Sequence, residues 1–420
     1  MANKIRYAAI GLALAGSSVQ AAGFALVEQN ASGMGNAYAG SAAVAEDAST
    51  IFFNPAGMTY IEGTQVVGAF HLVNVNADFN DKGSSSGGAF APLGDEGPNA
   101  GGFAFLPNFF FMTTLTPSIK VGVGVSAPFG LKTEYDDDQW VGRFHADKSE
   151  LKTVNINPSI AYQVNDQLSL GAGVSFMRAE ATLSRAVNFG PGGVGNVEIK
   201  GDDWGFGFNL GAIYRLTPAT RIGVAYRSEV KQKLEGDAKF TRPALVPNAG
   251  PAADGDVTAK VDLPASFTMS AFSQLNDKWD LMGGVTWTEW SNFEELRVVR
   301  DNGATLTVTP ENWHNTMRYS VGVNYHYSNM VKLRAGLAYD EEAIKSEFRT
   351  ARIPGNDRKW LSLGASYQMT PVSTFDIGYS HLFISDAKVD DNQLAKGNGR
   401  LIGKYEGNVD ILSLQYTHNF

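Results

Sequence analysis

The sequence predicts an all-β transmembrane barrel of about fourteen antiparallel strands with a small N-terminal helical plug in its lumen. Three observations lead there. An export leader has no helical membrane span behind it, bulky and small residues alternate along most of the chain, and tight turns alternate with long loops.

Composition narrows the field first. The 420 residues include 46 Gly, 25 Phe, 15 Tyr and 7 Trp, and only 18% are charged, where soluble proteins carry about 25%. An apolar content of 44% excludes disorder. The absence of cysteine removes disulfides, thiolate zinc sites, Fe–S clusters and cysteine nucleophiles together. A net charge of −9 offers no basic face, so no nucleic-acid partner is expected.

Residues 1–21 read as a signal peptide. Lys4 and Arg6 form its basic start, Tyr7 to Gly16 its apolar core, and Val19-Gln20-Ala21 a small-residue cleavage site. That core is too short for a span, which needs about 20 apolar residues. Losing Lys4 and Arg6 takes the charge from −9 to −11. The longest uncharged stretch, Gly97 to Ile119, holds Pro98, Pro107 and Pro117 and fits two strands around a turn better than a helix.

Residues 22–63 differ from the rest. Ala31 to Thr50 holds seven Ala and almost no β-branched residues, which suggests short helices. The apolar Phe24, Leu26, Met34, Tyr38, Phe52, Phe53 and Met58 favour burial, hence a plug.

Residues 64–420 read as the barrel. From Trp204 to Tyr214, bulky Phe206, Phe208, Leu210 and Ala212 alternate with Gly205, Gly207, Asn209 and Gly211. Leu168 to Phe176 and Leu361 to Tyr367 repeat the pattern. It fits lipid on one face and lumen on the other, whereas a two-sheet sandwich carries more outer charge. Strands are expected near 64–76, 102–113, 119–127, 151–163, 167–178, 203–215, 219–231, 257–273, 278–291, 313–327, 330–342, 358–369, 373–386 and 408–420. Tight turns are marked by Thr116-Pro117, Asn165-Asp166, Thr217-Pro218, Asn276-Asp277, Ser328-Asn329 and Thr370-Pro371. The other connections run long, such as 77–101, 179–202, 232–256 and 387–407. Leu412, Leu414, Tyr416 and the terminal Phe420 share one face of the last strand, as outer-membrane assembly signals do.

Motifs for chemistry are weak. Gly83-Ser84-Ser85-Ser86-Gly87 matches G-x-S-x-G but sits in a Ser/Gly-rich loop, without the strand and helix a nucleophile elbow needs. There is no H-E-x-x-H, and Asp136-Asp137-Asp138 reads as a solvated acidic run before it reads as a cation site. No enzyme and no cofactor are expected, and an outer-membrane lipase or protease stays a competing class without motif support. A loop-displaying adhesin or phage receptor is a third class. Large iron chelates use plugged barrels of about 22 strands, so a smaller barrel with an apolar plug suits a slender apolar solute.

Several segments carry a family resemblance. Ala22-Gly23-Phe24, Ala31-Ser32-Gly33-Met34-Gly35 with Ala37-Tyr38, and Asn54-Pro55-Ala56 resemble the FadL family of outer-membrane long-chain fatty acid transporters. Trp204-Gly205-Phe206-Gly207, Tyr226-Arg227-Ser228-Glu229-Val230-Lys231, Trp290-Ser291, Asp357-Arg358 and Trp360-Leu361-Ser362 continue the likeness in order. The resemblance implies a fourteen-stranded barrel with an N-terminal hatch in the outer membrane. It also implies passive uptake with lateral release to lipid through a gap where one strand kinks inward. Here strand three runs Val121 to Ala127 and meets Pro128-Phe129-Gly130, with the plug at Asn54-Pro55-Ala56 set against the bend. The plainer alternative makes Pro128 the end of the strand. The family's carboxylate-binding Arg falls on Arg185 and its Lys on Thr309, so one cation is missing, with His314 nearby as a substitute. That loss leaves open the family's other branch, which passes neutral aromatic or aliphatic hydrocarbons. Arg227, Glu229 and Lys231 are expected to share the lumen face as a charge ladder. The expected partners are the hydrophobic solute and outer-membrane lipid, with the barrel a monomer.

Overall fold

The computed structural model describes residues 23–420, so the expected leader 1–21 and Ala22 lie outside the described residues. Twenty strand segments form a single sheet. In chain order they begin with β1 (Thr64–Asp81), β2 (Gly102–Thr116), β3 (Ile119–Ser126), β4 (Gly130–Glu134) and β5 (Lys148–Gln163). β6 (Leu168–Asn188), β7 (Val194–Arg215), β8 (Thr220–Arg227), β9 (Val230–Thr241) and β10 (Gly255–Leu263) follow. Then come β11 (Ser266–Asn276), β12 (Trp279–Thr288), β13 (Glu295–Arg300), β14 (Thr305–Pro310) and β15 (Thr316–His326). β16 (Val331–Asp340), β17 (Arg358–Thr370), β18 (Ser373–Ile384), β19 (Ala387–Asn392) and β20 (Arg400–Asn419) complete the wall. Six segments continue the preceding one across a break, which leaves fourteen antiparallel staves. β20 closes onto β1, from Gln65 opposite Asn419 to Asp81 opposite Gly403. Closure leaves no free sheet edge, the condition for a sheet to lie in lipid.

Alternation sets which face meets the membrane. On β7, Trp204, Phe206, Phe208, Leu210 and Tyr214 point outward, and Phe206 is 65% exposed. No helix among the described residues is long and apolar enough to cross a membrane. The crossing is made by strands, and the protein is an outer-membrane barrel. The six marked dipeptides all lie in or beside the short turns, such as those between Gln163 and Leu168 and between Thr370 and Ser373. The opposite end, which carries the long connections, is the outer one.

The strands run further out than the alternation indicates. β6 and β7 stay paired to Asn188 opposite Val194, so most of the expected loop 179–202 is hairpin. Those extensions trade bulky–small alternation for charge pairs, such as Glu198–Lys200 at 2.7 Å and Lys233–Glu235 at 2.6 Å. Backbone pairing continues where the hydrophobic pattern has stopped.

Two expected strands are broken. The stretch 257–273 divides at Pro264-Ala265 into β10 and β11, because proline cannot donate to a ladder. The stretch 219–231 divides between β8 and β9, where Arg227 pairs with Asn209 but Glu235 pairs with Asp202. That is a slip of one residue, a bulge held by Ser228, whose N–H donates to the Phe208 carbonyl at 2.9 Å. Beyond the bulge the faces exchange. Lys231 is 71% exposed and pairs with Glu229 at 3.2 Å on the outside, so the charge ladder expected with Arg227 does not form.

Residues 23–63 fold inside the barrel. α1 (Ala31–Met34) is capped by Asn30, α2 (Thr50–Phe53) follows, and a 3-10 turn over Pro55–Tyr60 is capped by the Asn54 side chain. Met34, Tyr38, Ile51 and Met58 are buried. The small inward residues of the wall make the socket: a Cβ on Gly211 would fall 1.9 Å from Asn54 Oδ1. Asn54 Nδ2 donates to the carbonyls of Ala42 at 2.7 Å, Ala212 at 3.1 Å and Val224 at 3.3 Å. Glu46 pairs with Arg334 at 2.8 Å and with Lys332, and Arg334 pairs with Asp376 at 2.7 Å, fastening the segment to β16 and β18.

Candidate functional site

The wall opens beside Pro128. β2 and β3 pair from Thr116 opposite Ile119 up to Phe109 opposite Val125. Above that, no ladder joins β2 to β4 among the described residues. Contact resumes where the Glu134 N–H donates to the Ala100 carbonyl at 3.1 Å. On the other side, Ser126 pairs with Asn155 and Gly130 with Lys152. Three residues, Ala127, Pro128 and Phe129, therefore stand opposite two of β5, and one extra residue is pushed inward. The strand resumes as β4 with its faces exchanged, so Pro128 interrupts the stave without ending it.

The hatch pairs with this bend. Leu26 N–H donates to the Pro128 carbonyl at 2.8 Å, and Gly130 N–H to the Phe24 carbonyl at 2.9 Å. Thr153 Oγ1 donates to the Phe129 carbonyl at 2.6 Å and accepts from its N–H at 3.0 Å. The plug segment against the bend is thus Phe24–Leu26, where Asn54-Pro55-Ala56 was expected. Asn54 is spent on β7 and β8, and Pro55 reaches the bend only by lining the same cavity as Pro128 and Phe129.

Three cavities follow one another down the lumen. The outer one, about 350 Å³, is polar and lined by Arg185, Thr309, Arg352 and Lys396 among others. The middle one, about 80 Å³, is an apolar slot of Leu131, Leu151, Leu234, Val261 and Phe293, with Arg352 and Glu311 in its lining. Leu183, Ile199, Leu296 and Arg352 line both, so the two adjoin. The lower cavity, about 140 Å³, is bordered by Pro128, Phe129, Phe52, Arg227, Arg318 and Asp340.

An aromatic partition separates slot from lower cavity. Phe24 packs edge-on to Trp290 at 4.7 Å and Phe293 at 5.8 Å, and tilts against Trp313 at 5.6 Å. The breaks after β12 and before β15 supply these rings. Gly23, at φ +63°, has no room for a side chain, since a Cβ would lie 2.6 Å from both tryptophan rings.

The electrostatics concentrate at the slot's mouth. Arg352 Nη1 donates to Ser149 Oγ at 3.0 Å and to the Lys148 carbonyl at 3.1 Å. Burial, with Arg185 close by, pulls its guanidinium down to about 10, so it stays charged at neutral pH. Arg185 bonds the Ala186 carbonyl at 3.2 Å. Among the described residues neither arginine has a carboxylate within ion-pairing distance. Burial pushes the Glu311 carboxyl up to about 8, against a 2.9 Å bond from Trp313 Nε1, and leaves it protonated at neutral pH. The structure thus brings Arg185 and Thr309 into one cavity, and it leaves His314 exposed, outside all three. Arg352 and Glu311 were missed, because a lone Arg or Glu in a long loop carries no local signal. Among the described residues no three metal-ligating side chains gather.

The profile of the family described as outer membrane protein transport protein (OMPP1/FadL/TodX) matches residues 12–420. The chain is 33% identical to outer membrane protein P1 of Haemophilus influenzae, with 89% of this chain and 88% of that one covered. It is 29% identical to a long-chain fatty acid transport protein of Escherichia coli, covering 98% and 97%. A crystal structure of a Pseudomonas aeruginosa FadL homologue superposes with a TM-score of 0.89 at 28% identity, covering 95% of this chain and all of that one. The Pseudomonas putida toluene transporter TodX shares the fold at a TM-score of 0.68 and 19% identity, with 89% and 94% covered. A closed barrel, an internal hatch and a family match along nearly the whole chain agree: the chain belongs to the OMPP1/FadL/TodX family of outer-membrane transporters of hydrophobic substrates.

Proposed function

We propose that the protein takes up long-chain fatty acids by passive diffusion. The outer cavity captures the molecule, Arg352 with Arg185 behind it holds the carboxylate, and the tail fills the apolar slot. The observation that carries this reading is a charged arginine without a carboxylate partner at the entrance of a hydrocarbon-lined slot. A neutral hydrocarbon would leave that desolvated charge with no anion in contact, Asp147 and Asp391 acting on it only from beyond ion-pairing distance, which is costly; a fatty acid satisfies both ends. Arg352 takes the place of the cation absent at Thr309. The likeness to a long-chain fatty acid transport protein along nearly its whole length supports the same choice.

Release is lateral. Residues 22–63 act as the gate, and Phe24 stands between slot and lower cavity. Past it, the tail meets Pro128 and Phe129 and the unpaired edge of β2. Lipid lies directly outside, so an apolar chain has no reason to enter periplasmic water. Removing one residue at the bend, by deleting Pro128, restores two residues opposite Thr153 and Val154 and lets β4 continue β3 in register. Cells producing the wild type should take up palmitate, and the Pro128 deletion should abolish uptake while heat-modifiable gel migration shows an intact barrel. Normal uptake through the closed wall would refute lateral release here. Uptake of toluene but not palmitate by the wild type would move the assignment to neutral hydrocarbons.

A further inference from the structure

We infer that the lower cavity is a second carboxylate-binding station, anchored by Arg227, which holds the head group while the tail is offered to the gap in the wall. The inference rests on the fatty-acid reading above and adds a site to it.

Two guanidiniums border this cavity, and their surroundings differ. Arg318 on β15 sits opposite Asp340 of β16 in the sheet register, and both line the cavity. Its Nη2 donates to the Ala37 carbonyl at 2.8 Å, so its charge has an acid close by. Arg227 on β8 has none: among the described residues no carboxylate lies within ion-pairing distance. Its Nη1 donates to Ser175 Oγ at 3.2 Å and its Nη2 to the Phe52 carbonyl at 2.8 Å, both neutral acceptors. Its guanidinium lies 4.4 Å from the centre of the Phe52 ring. The register of β8 with β7 sets Arg227 inside, and the bulge at Ser228 turns the next charged residues, Glu229 and Lys231, outward, so neither stands beside it. A desolvated cation without an anion is unfavourable, and a planar guanidinium is suited to take a carboxylate.

The cavity gives that anion a direction. Beside Arg227 stand Phe52 and Phe53 of the hatch, and Pro128 and Phe129 of the bend line the same cavity. A carboxylate seated on Arg227 can lay its tail along Phe52, Phe53 and the bend, away from the hydroxyls that β11, β12 and β15 contribute to the same lining. The opening beside the bend is where a chain longer than the cavity has room. The path thus holds two cationic stations in series. The outer one is Arg352 with Arg185, the inner one Arg227, and the Phe24 partition stands between them. A molecule leaving the outer arginine finds a replacement charge before its tail reaches lipid.

The experiment counts sites. The purified full chain in a neutral detergent is titrated with palmitate and, separately, with hexadecanol. The wild type should bind two palmitates, Arg227→Met should bind one with the outer affinity unchanged, and Arg352→Gln should also bind one. Palmitate carrying a photoreactive diazirine next to its carboxyl should label peptides containing Phe52 or Ser175 in the wild type. That readout needs no variant to fold. A single wild-type site that Arg352→Gln abolishes, or no label near Phe52 and Ser175, overturns the inner station and leaves fatty-acid uptake standing. No palmitate bound at all overturns both.

Discussion

Replacing Arg352 by glutamine tests the head-group assignment most sharply. The guanidinium now bonds the Lys148 carbonyl, Ser149 Oγ and, at 3.4 Å, the Ser184 carbonyl. Glutamine can keep one of these bonds through its amide while removing the charge. A hydrogen bond from a charged donor contributes about 1.5–3 kcal/mol, so palmitate should bind about 10- to 150-fold more weakly. Hexadecanol fills the same slot without a charge, and its affinity should change less than about threefold. Trp290 and Trp313 pack on Phe24 and Phe293, which line the slot's inner end, so a brominated chain in the slot comes near enough to quench their fluorescence. The Arg227→Met background removes the contribution of the lower cavity, which Trp290 lines. The barrel's migration on gels, folded and heated, checks that the variant assembles. Equal losses for acid and alcohol would mean that Arg352 acts only through packing against Ile353 and the β5–β6 wall. Unchanged palmitate binding would refute the assignment.

Four further outcomes follow from the same geometry. Glu311 is neutral below about 8 and charged above it, so raising the pH through that value puts a negative charge beside Arg352. Binding of hexadecyl sulfonate, ionised throughout, should weaken between about pH 7 and about 9, below the range where Arg352 itself loses its charge, and Glu311→Gln should remove most of the dependence; a flat wild-type profile would contradict the burial argument. Arg185 lines the outer cavity and not the slot, so Arg185→Ala should slow palmitate association with a smaller equilibrium loss than Arg352→Gln. Thr309→Lys should speed association in stopped-flow mixing, and an effect confined to dissociation would count against this placement. Gly23→Ala adds a Cβ where both tryptophan rings already stand, in a backbone region that costs non-glycine residues about 1–2 kcal/mol. The N-terminus should leave its site, red-shift the tryptophan emission and raise palmitate uptake; an unchanged spectrum would show that the partition tolerates the insertion.

Sequence alone determined the wall. Phe206 and Phe208 alternate with Gly205 and Gly207 whatever surrounds them, because a strand's two-residue period is local, and Asn165-Asp166 marks a turn for equally local reasons. The apolar Met34, Tyr38 and Met58, on a segment too short to fold alone, already required a surface to cover them. The site depended on longer-range geometry. A bulge adds one residue without disturbing the alternation on either side, so the exchange of faces that sends Lys231 outward while Arg227 stays inward leaves no local trace. Pro128 reads equally well as a terminator or a bend until β5 shows three residues opposite two. Arg185 and Arg352 come from hairpins more than 150 residues apart, and only closure of the sheet brings them to one cavity. Local periodicity decides what pairs and which side meets lipid; barrel closure and hatch docking decide which charges are left without partners, and so where a substrate is held.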